Sequence, residues 1–192
     1  MNRRRLLSGI IAIGYALRAR ADSLGEASTT DFHSASKAFR LRLDPSGHKL
    51  KLTLSSRGNG LWYRQQWSTL FQAAMFPTIA FVTDDGQYAV ILCGYVLQQR
   101  TGNALAIFGP SGKLVKAFDL KDLFPPHEFA RLVRSVSGIP WVGTAKLDNS
   151  GPSLLIVTND PFPAPPPGSV YGSPPLVVTL RIALPTGTVA RE

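Results

Sequence analysis

The chain has one cysteine, Cys93, so no internal disulfide can brace it. Its three histidines, His33, His48 and His127, stand far apart with no HExxH pair, which leaves zinc without a ligand set. No GxSxG elbow, Walker loop or dinucleotide GxGxxG turn occurs. No cofactor is therefore expected. The apolar run at Leu6–Leu17 is short of the ~20 residues that a spanning helix needs. Acidic residues are also scarce, 12 against 21 basic ones, and none lies among the first 21 positions.

Those 21 positions follow a secretory plan. Arg3, Arg4 and Arg5 precede the apolar stretch, and Ala19-Arg20-Ala21 offers small residues to a signal peptidase cutting before Asp22. The arginines followed by Leu6-Leu7 are also similar to a twin-arginine signal. Asn2 stands where that pattern prefers Ser or Thr, so Sec export is the better fit. Without residues 1–21, 16 bases face the same 12 acids, a surplus of four. A domain that mildly basic calls for no nucleic acid. The expectation is an exported (periplasmic or secreted) chain with no membrane span once the signal is cleaved.

Residues 22–36 are rich in Ser, Thr and Ala and read as a flexible lead-in to one domain, 37–192. Phe39–Leu43 and Leu50–Leu54 alternate strictly around Asp44-Pro45-Ser46-Gly47, a hairpin with one basic face. Tyr63, Trp67, Leu70, Phe71, Ala74 and Met75 recur at three- and four-residue intervals, which predicts an amphipathic helix stopped before Pro77. Four apolar runs between Thr78 and Leu120 meet at Asp84-Asp85-Gly86 and Gly109-Pro110-Ser111-Gly112, and predict four antiparallel strands. Cys93, in the run Val90–Cys93, reads as a core residue. Phe129, Leu132, Val133 and Val136 suit a second helix, opened by Pro125-Pro126. A hairpin over 141–158 follows. Residues 160–175 hold seven prolines and predict a stiff surface loop, and Leu176–Ala183 reads as a last strand.

The turn glycines Gly47, Gly86, Gly112 and Gly151 are spaced 39, 26 and 39 residues apart, which suggests a supersecondary unit repeating every 65 residues. Phe81–Val90 resembles the first hairpin of a blade in bacterial β-propeller proteins, and Ala106–Val115 resembles the outer hairpin of the same blade. The segment is also similar to a stretch found in uncharacterised exported bacterial proteins. The resemblance implies a mainly β fold, with antiparallel hairpins forming one to two propeller-like blades and two short helices. A propeller closes with four to eight blades, so exposed strand edges would await a protein partner.

The expected function is thus an exported, non-catalytic interaction module. Two alternatives stand beside it. Asp84, Asp85 and Asp148 would serve an exported hydrolase if they converged in a pocket with one raised pKa. Trp62, Tyr63 and Trp141 would serve a binder of glycans or other small ligands.

Overall fold

In the computed structural model, residues 28–59, 62–73, 75–97, 102–132, 138–148, 151–158 and 177–192 are described. The proposed signal segment and the proline-rich loop lie outside them. The described chain is mainly β, and its strands form three successive four-stranded antiparallel sheets. The first contains β1 (Thr30–His33), β2 (Phe39–Ser46), β3 (Lys49–Arg57) and β4 (Tyr63–Phe71), paired in chain order.

The central sheet takes β5 (Ile79–Val82) and β6 (Ala89–Leu92), skips the two-residue β7 (Tyr95–Val96), then adds β8 (Leu105–Phe108) and β9 (Leu114–Phe118). Two single-turn helices follow, α1 (Leu120–Leu123) and α2 (Pro126–Phe129). Asp119 and Asp122 cap α1, the Asp119 N–H donating to the Asp122 carboxylate at 3.0 Å. Strand β10 (Ile139–Pro140) pairs with β7, and β11 (Val142–Asp148), β12 (Ser153–Thr158), β13 (Thr179–Ala183) and β14 (Thr188–Arg191) make the third sheet.

The central sheet explains its own composition. Every residue of β6 and β8 is buried, because neighbouring sheets cover both faces. Ala89, Ile91, Ala106 and Phe108 pack on Leu41, Leu43, Leu52, Leu54, Trp67 and Phe71 of the first sheet. Their neighbours Val90, Leu92, Leu105 and Ile107 pack with Leu154, Ile156, Leu180 and Ile182 of the third. A strand covered on both sides has no polar face to show, so it reads as a continuous apolar run. Burial of each such large side chain contributes roughly 1.5–3 kcal/mol. The outer sheets are covered on one face only and alternate accordingly, β3 as Leu50, Leu52 and Leu54 inward against Lys51 and Thr53 outward.

Three expectations need correction. The helix expected from Tyr63 to Met75 is strand β4 as far as Phe71, with Trp67 and Phe71 buried against the central sheet. Residues four apart share a helical face, but they also share a strand face, because four is an even number. Thr30–His33, expected within the lead-in, is strand β1, paired Phe32 to Leu41 and His33 to Arg40. The second helix covers only Pro126–Phe129; Leu132 is buried beyond its end, and Val133 and Val136 lie outside the described residues. Of the turn glycines, Gly86 and Gly151 both join the first strand of a sheet to its second, whereas Gly47 joins the middle strands of its sheet and Gly112 the last two of its own. The 65-residue period therefore links like turns at Gly86 and Gly151 and unlike turns at Gly47 and Gly112.

Candidate functional site

Antiparallel meanders deliver their hairpin turns alternately to two ends. One end of the stack gathers the β5–β6 and β11–β12 turns around a cleft of about 710 Å³, lined by Asp84, Asp85, Tyr88, Asp148 and Ser153 among others. The three carboxylates singled out from sequence thus do share a cleft. Each has structural work there. Asp84 accepts the Ser36 backbone N–H at 2.7 Å, and that bond, with the Ser36 hydroxyl, holds its carboxyl below the usual range. Asp85 accepts from the Thr83 hydroxyl at 2.5 Å and the Gln87 N–H at 2.9 Å, which closes the turn. Asp148 is ion-paired with Arg181, whose guanidinium also reaches Glu192. A general acid needs a carboxyl held above its ordinary pKa, and Asp84 is shifted the other way. No group of three or more His, Cys, Asp or Glu among the described residues could hold a metal.

The aromatic trio does not assemble. Trp62 is 82% exposed just before β4, and Tyr63 is half-buried at its first position. Trp141 is fully buried between the central and third sheets, edge-on to Phe124, and its indole N–H donates to the Cys93 carbonyl at 2.6 Å. Trp141 therefore offers no surface to a ligand and belongs to the core. Cys93 is itself buried, its thiol 3.1 Å from the Met75 carbonyl.

Tyr63 has other company. A register shift where β3 pairs with β4 sets Leu54 opposite Trp67 but Ser55 opposite Gln65, leaving Gln66 as an extra residue. Such a bulge switches the residues beyond it to the other face. Tyr63 is thereby turned from the core side to the outer face of the first sheet. There the Arg40 guanidinium lies 4.3 Å from its ring centroid, and the His33 ring lies 6.0 Å away. His33, Lys37, Arg57 and Tyr63 line a cleft of about 280 Å³.

Asp31 is the neighbouring acid, and Arg42 holds it in a two-pronged pair at 2.8 and 3.0 Å, which keeps its carboxyl below the usual range. Arg40 reaches Asp31 only at 3.6 Å, and its Nε is buried without a hydrogen-bond partner. In the sequence, the Arg40, Arg42, Lys49 and Lys51 row reads as a solvated sheet face. The bulge that joins Tyr63 to it has no local sequence signal.

Compared with known protein families, curated proteins and solved structures, the chain matches none.

Proposed function

We propose that the chain is an exported, non-catalytic interaction module in which each four-stranded sheet is a propeller-like blade. The observation that carries the reading is the stacking of three consecutive four-stranded meanders, the middle one covered on both faces and the outer two on one. Propeller blades are built and stacked in that way, and a ring closes only with four to eight of them. Three blades leave edge strands and outward faces for a protein partner. Leu70 is 56% exposed on the first sheet, and Leu155 and Val157 of β12 are half-buried on the far side of the third. Export rests on the pattern of residues 1–21. The structural bonding of Asp84, Asp85 and Asp148 weighs against the hydrolase alternative. No helix among the described residues is long and apolar enough to cross a membrane.

The test begins with the full chain, tagged at its C-terminus and expressed in a bacterial host. Recovery outside the cytoplasm, with an intact mass that begins at Asp22, is the expected result for export. The recovered protein then serves as bait in native envelope extract. A stoichiometric partner that protects the edge strands from hydrogen exchange is expected; a chain that stays monomeric and unpartnered overturns the interaction reading.

A further inference from the structure

We propose that the groove between the β2–β3 turn and the β4–β5 connection binds an amphipathic monocarboxylate of the fatty-acid type, with its carboxylate at Lys49 and its chain along Ala73, Met75 and Phe76. This inference does not rest on the blade reading, since it needs only the first sheet packed on the central one.

The groove encloses about 660 Å³, a volume suited to a small molecule. It is lined from the first sheet, from the connection that leads to the central sheet and from the loop before β8. Its floor is apolar, made by Leu50 together with Ala73, Met75 and Phe76. Ala73 touches both cores, Met75 packs on the core shared with the third sheet, and Phe76 on the core shared with the first. All three stay partly exposed, so the seam between the cores opens to solvent here. The flexible thioether of Met75 suits a surface that adapts to an apolar chain. The facing wall is held in place by Asn103, which has φ of 53°. Its side-chain N–H donates to the Gln72 carbonyl at 2.7 Å, and its backbone N–H donates to the Asp119 carboxylate at 2.8 Å. A fixed wall over an open apolar floor is preorganised for a ligand.

The rim selects the ligand. His48 and Lys49 both line the groove and are exposed, and neither is ion-paired among the described residues. The Gln72 side chain, also on the rim, is exposed too. No Asp or Glu among the described residues lines the groove, and the nearby carboxylate of Asp119 already accepts the Asn103 N–H. Lys49 supplies one permanent charge, His48 a ring nitrogen and Gln72 an amide donor, a set that matches one carboxylate and undermatches a polyanion. A bare anion would leave the apolar floor unused. A neutral chain would leave Lys49 without a partner, and an organic cation would be repelled by it. A chain that ends in one carboxylate uses both parts of the groove.

Octanoate, acetate, 1-octanol and octylammonium are titrated into the full-length protein at matched ionic strength and below micelle formation. Binding is followed by calorimetry and by the methyl resonance of Met75, which has only Met1 beside it in the chain. Octanoate should saturate, shift the Met75 methyl and bind about tenfold or more tighter than acetate, because its chain leaves water. Lys49→Gln should weaken octanoate about fivefold and leave 1-octanol unchanged, since the charge-assisted bond is all that it removes. Lys51→Gln, the same loss of charge two positions along β3 and outside the groove, should change neither. Gln72→Trp, which fills the groove from its rim, should abolish octanoate binding at an unchanged unfolding midpoint. If that variant does not fold, the comparison of Lys49→Gln with Lys51→Gln still decides. The site would be overturned by 1-octanol or octylammonium binding as tightly as octanoate, by a Met75 methyl that does not shift, or by equal losses in the two lysine variants.

Discussion

Gly47 and Gly112 share the left-handed region, with φ of 59° and 74°, but they answer to different constraints. A methyl group at Gly47 would meet nothing within 4 Å, whereas one at Gly112 would sit 2.7 Å from the Trp67 ring. Gly47→Ala should therefore cost only the backbone penalty of about 1–2 kcal/mol. Gly112→Ala should add roughly 1–3 kcal/mol of overpacking where the β8–β9 turn meets the first sheet. Urea unfolding of both variants isolates the packing contribution as their difference. Trp141→Phe removes the donor to the Cys93 carbonyl and should cost about 1–3 kcal/mol in the same assay. The buried place of Cys93 was legible in Val90–Cys93, because a lone thiol in an apolar run has little else to do. That of Trp141 was not, because an indole suits a core and a ligand platform equally until its N–H partner is known.

At the scale of elements, β4 shows why local pattern fails. Tyr63, Trp67 and Phe71 fit a helix and a strand equally well, and the decision comes from Leu50–Arg57, which offers β4 a full ladder of hydrogen bonds. That ladder joins residues well apart in sequence, so no window over β4 alone can see it. Strand β1 is settled in a similar way, by its pairing with β2 and by the Asp31–Arg42 pair across it. The carboxyl of Asp31 is depressed chiefly by its bond to Arg42, with Arg40 adding to it. A depressed carboxylate stabilises the fold above its unfolded value of about 3.8, and that contribution is lost as pH falls through the lower folded value. Asp31→Asn should then cost about 0.2–1 kcal/mol at pH 7, as surface pairs do, and less in high salt. The gap between wild type and variant should close in acid below pH ~3.8. A gap that persists there would mean that Asp31 stabilises β1 other than by charge.

The whole molecule hangs on the central sheet, which belongs to both cores. Ile91 and Val90 are adjacent yet feed different ones, Ile91 the core shared with the first sheet and Val90 that shared with the third. Ile91→Ala should cost about 2–5 kcal/mol and Val90→Ala somewhat less, each within one cooperative transition seen by all probes. A separate early melting of one outer sheet would show that the cores are not coupled. The mainly β class and the paired hairpins were readable from turn glycines and alternating runs. The three-sheet arrangement was not, because β6 reaches past β7 to β8, and β12 joins β13 across residues 159–176. Two-sided burial also has a cost during synthesis. When residue 120 has been made, Ala89–Leu92 and Leu105–Phe108 can lie against the first sheet, but Val90, Leu92, Leu105 and Ile107 still lack the strands after residue 140 that will cover them. Until those arrive, the half-made chain displays a flat, uncharged β-surface, the kind that sticks to its own copies. The segment most in need of a chaperone is thus the middle of the chain, and a truncation near residue 125 should be recovered from cells as aggregate.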